Sequence, residues 1–189
     1  MSQFELFKKL ILGNFNNLEQ IEIEKSQGNI THPIAKNIKK VCNDKIKNLP
    51  QGFNGIFVID ESYYTDAKTN ITNRLPYLFL FEEIQEGKVK ATAYEVPKSI
   101  STEEFTNSNE KLEMDYNELN IITQFIPMIY EYTEGKGFYG ASFSEFGNEV
   151  TFLLEISLSE NKLELKEIMK KGNQMIGGSD TPIIYRRDI

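Results

Sequence analysis

A chain of 189 residues that is 40% hydrophobic is long enough to fill one core and falls within the span of a single β-barrel or sandwich, so one domain covering residues 1–189 is expected. Its net charge of -7 repels phosphate backbones and anionic lipid heads, which sets aside nucleic acid and acidic membrane surfaces as main partners. The lone cysteine, Cys42, excludes an internal disulfide, no secretory leader is recognised, and no apolar run approaches the ~20 residues of a membrane span; a cytoplasmic protein is expected.

Ser2 and Glu5 have capping-box spacing, and Phe4, Phe7, Leu10, Ile11 and Phe15 recur as one apolar stripe, which predicts a helix over residues 1–16. That stripe needs a partner surface, and the end or wall of a barrel would supply one. Residues 18–25 fit a helix or a short strand equally well, because so short a run cannot separate the two periods. Gly28, Asn29 and the His32-Pro33 step mark a loop.

Barrel strands are expected over residues 34–187. The first is 34–46, and Leu49-Pro50-Gln51-Gly52 turns the chain into the run that holds Ile56, Phe57, Val58, Ile59, Asp60, Glu61, Ser62, Tyr63 and Tyr64. Strands over 77–84 and 88–96 are joined by Gln85-Glu86-Gly87, a short hairpin. Residues 97–109 read as a polar excursion and 115–123 as a short helix. A hairpin over 128–133 and 138–146 turns on Glu134-Gly135-Lys136-Gly137, and 150–158 alternates cleanly. In 162–170, Leu163, Leu165 and Met169 alternate as in a strand although a helix also fits; neighbouring strands at short spacing favour the strand. A last strand covers 182–187. The fold class is therefore mainly β, a β-rich α+β antiparallel barrel of about eight to ten strands with an N-terminal helix, closed so that no edge is left bare.

Familiar chemistry is missing. The Glu134-Gly135-Lys136-Gly137 turn lacks the strand-to-helix setting of a phosphate loop, and one histidine with one cysteine cannot assemble a zinc site or a nucleophile pair, so neither metal nor cofactor is expected. His32 reads as a loop residue. Asp60 and Glu61 point to opposite faces of their strand: Asp60 shares parity with Ile56, Val58 and Tyr64, and Glu61 with Phe57, Ile59 and Tyr63. Both faces begin apolar and end polar, so the strand alone does not assign inside and outside. A buried carboxylate needs a partner, for which Arg74, Arg186 and Arg187 are candidates. Such a group is either an internal ion pair or a ligand-orienting residue. Tyr63, Tyr64, Tyr77, Tyr94, Tyr130, Tyr132, Tyr139 and Tyr185 either fill the core or stack on a planar ligand while offering hydroxyls to its edges.

Taken together, the helix, the strand leading to Leu49-Pro50, the Phe57-Val58-Ile59-Asp60-Glu61-Ser62-Tyr63-Tyr64 run, Arg74-Leu75-Pro76-Tyr77 and Gly177-Gly178-Ser179-Asp180-Thr181-Pro182-Ile183-Ile184-Tyr185-Arg186 resemble, in element order, the CpcT/CpeT family of phycobiliprotein chromophore lyases. The resemblance implies a calycin-like antiparallel barrel around a bilin cavity. It implies that Arg74 pairs with a propionate and that Glu61 or Tyr64 orients or protonates the tetrapyrrole, which makes these two the catalytic candidates. The expected ligand-binding set is Glu61, Tyr63, Tyr64, Arg74, Tyr77, Tyr94 and Arg186, around a small, partly apolar ligand such as a tetrapyrrole or lipid. A lyase-like enzyme acting on an acidic ligand, and a non-catalytic module that docks a partner through the first helix, are the alternatives.

Overall fold

Ten strands close into an antiparallel ring in the computed structural model, which describes residues 1–67 and 69–188. The strands are β1 (Gly13–Asn16), β2 (Ile34–Val41), β3 (Ile46–Lys47), β4 (Ile56–Thr65), β5 (Thr72–Gln85), β6 (Lys88–Tyr94), β7 (Met114–Asp115), β8 (Met128–Thr133), β9 (Gly137–Glu145), β10 (Val150–Ser159), β11 (Lys162–Lys171), β12 (Gln174–Gly178) and β13 (Ile183–Arg187). Around the barrel the order is β10-β9-β8-β6-β5-β4-β2-β1-β13-β11, and β11 returns to β10. The short β12 pairs with the second half of β11 after a register shift at Met169/Lys170, while the first half of β11 pairs with β13. β3 and β7 form a small parallel pair outside the ring.

Helix α1 (Gln3–Ile11) begins as expected, with the Glu5 amide donating to the Ser2 hydroxyl at 3.2 Å. It stops earlier than the stripe predicts. Gly13, at φ +133°, turns the chain into β1, and Phe15, the last member of the stripe, instead points into the barrel from that strand. The freed carbonyls at the helix end are taken by Arg187, which donates to Leu12, Lys9 and Leu10 at 2.5, 2.8 and 3.0 Å and lies over the Phe15 ring. Phe7, Leu10 and Ile11 are buried, and Phe7 meets Phe81, Tyr130 and Phe138 with ring centres 5.1–5.4 Å apart. The helix thus plugs the end of the barrel where β5 turns to β6 and β8 to β9.

The run left open between helix and strand is helix α2 (Leu18–Ser26). Its amphipathicity is weak because Ile21 is its one buried apolar side chain, and polar contacts hold it instead. Gln20 accepts from the Ile184 amide at 3.0 Å and donates to the Pro182 carbonyl at 3.1 Å, so its side-chain amide stands in for a strand beside β13. The 115–123 expectation shrinks to a single 3-10 turn, Tyr116–Glu118, held by Asp115, which accepts from the Asn117 amide.

Two cores flank β4, which explains why both of its faces begin apolar. Ile56 and Val58 join the inner core with α1, Phe81, Val89, Tyr130 and Leu158. Phe57 and Ile59 face outward into a second core with Leu78, Leu80, Phe105, Leu112 and Met114, because the segment after β6 folds back over the outside of the wall. The polar excursion over 97–109 therefore hides one fully buried anchor, Phe105. At the β8–β9 hairpin, Gly137 (φ +94°) lies so close to the Leu158 carbonyl that a Cβ there would overlap it.

Candidate functional site

Strand pairing places a charged and polar group inside the barrel, beyond the aromatic plug. Lys39, Asp60 and Tyr77 occupy one row across β2, β4 and β5, and Asn37, Ser62 and Leu75 occupy the next. Asp60, 6% exposed, forms an ion pair with Lys39 and accepts from the Asn37 amide nitrogen at 2.5 Å. That nitrogen also donates to Ser62 at 2.8 Å. The amide orientation is dictated by chemistry, since a carboxylate only accepts and a flipped Asn37 would set oxygen against oxygen.

Two buried polar atoms in this lumen have no hydrogen-bond partner among the described residues: Asn37 Oδ1 and the Tyr185 hydroxyl. Tyr64 and Tyr185 influence each other's ionisation through a hydrogen-bonding interaction between their hydroxyls, although its geometry falls short of a full hydrogen bond. From the opposing wall, Glu167 on β11 enters the same space. It pairs laterally with Leu154, in the alternation that sends Leu158 and Ile156 inward, and while its backbone carbonyl accepts from the Ser179 amide at 2.9 Å, its carboxyl makes no ion pair or hydrogen bond with a described residue. Burial pushes its carboxyl above the ordinary range and nearby Asp60 pushes the same way, while Lys39 pulls it back. Burial, with Glu167 and Asp60 nearby, lifts the Tyr77 hydroxyl to about 12, and Tyr64, Tyr130 and Tyr185 are raised too, all mainly by burial. These phenols stay protonated at any physiological pH.

Beyond the plug, inward-facing side chains keep more contact with solvent than those at the aromatic end. Inward-facing Tyr64, Phe79, Leu154, Leu165, Glu167 and Met169 are only half-buried, and Leu75 and Tyr77 at the rim are 42% and 40% exposed. A ring of ten strands is wider than the eight whose interior side chains just fill, and one short helix occupies only one end. This end of the barrel is the open one, and its interior is called the cup. Its floor is the Lys39–Asp60 pair, and its mouth lies at the turns that join β4 to β5 and β9 to β10.

Of the residues expected to bind a ligand, Tyr64 and Tyr77 face this cup. Glu61, expected to turn toward a cavity, is on the outer face of β4 because it shares parity with Phe57 and Ile59. There it is 1% exposed and fully coordinated by the protein. Tyr63 donates to it at 2.7 Å, Arg74 Nε at 2.9 Å, the Asn107 amide at 2.6 Å and the Thr106 hydroxyl at 3.1 Å. Burial raises its carboxyl, but the hydrogen bonds from Tyr63, Asn107, Arg74 and Thr106 outweigh burial and hold it below its ordinary value. Arg74 also donates to the Thr102 carbonyl at 2.7 Å and to the Phe105 carbonyl. The Glu61–Arg74 pair therefore clamps the 101–107 segment to the wall. The two proton-donor candidates, Glu61 and Tyr64, sit on opposite faces of one strand and cannot reach one bound molecule. Tyr94 packs edge-on against Phe57 in the outer core, and Arg186 pairs with Glu19 at the surface.

Lys39, Asn37 and Glu167 went unnoticed in the sequence. Glu167 had a signal: in the series Leu163, Leu165, Met169 it fills the one missing inward position. His32, the expected loop residue, is a loop residue but a buried one. It is paired with Glu24 through Nδ1, and its Nε2 lies 3.1 Å from the Thr181 hydroxyl and 3.2 Å from the Thr181 carbonyl. It ties α2 to the turn before β13, beside an open cleft of about 460 Å³ that α2 and β13 line. Among the described residues no cluster of His, Cys, Asp and Glu suits a metal ion, and no helix is long and apolar enough to cross a membrane. Burial lifts the Cys42 thiol to about 12, so it is inert as a nucleophile. Comparison with protein-family models gives no match, and comparison with curated proteins gives none either.

Proposed function

We propose that the open half of the barrel binds a small, partly apolar molecule, its polar end against the Lys39–Asp60 floor and its body along Phe79, Leu154 and Met169. The observation that carries this reading is the pair of orphaned polar atoms, Asn37 Oδ1 and the Tyr185 hydroxyl, in a lumen whose walls still touch solvent. A buried polar atom without a partner costs ~1–3 kcal/mol, and two beside one buried ion pair leave this end of the lumen under-satisfied, which favours binding of a polar group there. Ion pair, carboxyl, phenols and apolar wall together match the make-up of a small-molecule site, mostly apolar with a few convergent polar groups. Partner docking through the first helix has less support, since the apolar stripe of α1 is already spent inside the barrel.

Thermal denaturation with a panel of small amines, acids, alcohols and tetrapyrroles tests the reading, because a ligand that binds only the folded state must raise the melting temperature. Leu154→Trp, which fills the cup, should abolish that rise while the protein stays folded. A rise that survives Leu154→Trp would move the site elsewhere.

A further inference from the structure

We infer that the ligand of the cup enters with a cationic nitrogen as its buried end, an amine or amidine on an apolar or aromatic body, and that Glu167 is its counter-ion. This rests on the ligand-binding reading above and narrows it.

The charges decide the polarity. Lys39 already spends its charge on Asp60, whereas Glu167 faces the same space with no ion pair among the described residues. Once Glu167 is ionised, two carboxylates face one ammonium, so a cation completes the set and a carboxylate would add to the deficit. The unmet hydrogen-bonding atoms agree. Asn37 Oδ1 can only accept, is 4% exposed as a residue, and has its orientation locked by Asp60 and Ser62; the Tyr185 hydroxyl, in a residue 1% exposed, can accept as well. An N–H donor is what Asn37 Oδ1 and an ionised Glu167 both call for, and a carboxylate or an ether has none to give. The rings of Tyr64 and Tyr77 add faces on which a cation is favoured.

Proton coupling follows. The groups that face Glu167 are Asp60 and Tyr64 from β4, Lys39 from β2, Tyr77 from β5 and Tyr185 from β13. With its carboxyl raised by burial and by Asp60, Glu167 holds a proton over a pH range where a free carboxyl would not. A bound cation favours the ionised form, so binding expels that proton and affinity grows as pH rises through the raised pKa of Glu167.

The test uses three probes of nearly one shape: phenethylamine, 3-phenylpropionate and 2-phenylethanol. Binding is followed by titration calorimetry in buffers of different ionisation enthalpy and by NMR of the Met169 and Leu154 methyl groups. The expected result is that phenethylamine binds best, shifts those methyl signals, releases a proton and tightens as pH rises above the ordinary carboxylate range. Glu167→Gln, which copies the protonated carboxyl and keeps the fold, should weaken phenethylamine by about tenfold, the ratio one lost charge-assisted contact is worth, and abolish the proton release. Equal or tighter binding of the carboxylate or the alcohol at the same methyl groups would overturn the cationic assignment and leave a ligand-binding cup. Silence of the methyl signals with all three probes would overturn the cup as well.

Discussion

Asp60 and Glu61 are neighbours in the chain, both are buried carboxylates, and each faces a basic residue, yet they belong to different kinds of place. Glu61 receives four donors from the outer face, and its environment is saturated. Asp60 is satisfied too, but the space around it is not: among the described residues, Asn37 Oδ1, the Tyr185 hydroxyl and the Glu167 carboxyl make no full hydrogen bond or ion pair there. A buried charge whose every valence is met holds a fold together. A buried charge set among unmet atoms is the kind of place the proposed binding needs, and the two are told apart by counting partners, not by burial.

The largest expected effect lies on the saturated side. Glu61→Ala strands Arg74 and frees the 101–107 segment, which should cost about 3–5 kcal/mol in urea unfolding and open that segment to proteolysis. A loss below 1 kcal/mol would erase the distinction drawn above. On the other side, replacing the inner pair together, Lys39→Met with Asp60→Leu, should leave stability unchanged or raise it by up to about 4 kcal/mol while removing binding in the cup, since a buried ion pair is seldom better for stability than a packed apolar pair. A smaller effect, about 1–2 kcal/mol, is expected for Arg187→Met, seen as faster amide exchange at the end of α1 once its carbonyls lose their donor.

The smallest effect has opposite signs in the two places. The Glu61 carboxyl sits below its ordinary value of 4.5, so its stabilisation is complete above that value and fades as pH falls through the lowered pKa. Glu167 sits above 4.5, so the unfolded chain loses its proton first and stability declines as pH rises from 4.5 through the raised pKa. In a stability-against-pH profile, Glu61→Gln should therefore flatten the acid limb and Glu167→Gln the limb above it. Identical profiles for the two variants would refute the assignment.

The sequence made the barrel legible because most strands carry their own signal. Residues 150–158 alternate apolar and polar side chains, and the hairpins at Gly87 and Gly135–Gly137 announce themselves through turn chemistry. Helix α2 was not legible, since its stability comes from Gln20, Glu24 and His32 reaching residues far along the chain. The site was half legible. Tyr64 and Tyr77 were singled out by residue type, but Glu61 drew attention that belonged to Asp60, because a strand with two apolar faces does not reveal which one is lined by a lumen. Lys39 was hidden among exposed Lys36 and Lys40, and only the pairing of β2 with β4 distinguishes it.

The ring closes where β1, near residue 15, lies against β13, near residue 187, and the same β13 supplies the arginine that finishes α1. A nascent chain emerging from the ribosome therefore holds its plug and most of its wall before it can seal either. Until Ile183–Arg187 appears, β1 and the first half of β11 present bare edges, which are open to pairing with other chains. Closure of so distant a contact is slow, in the roughly millisecond-to-second range typical of barrels, and those edges stay exposed for that long.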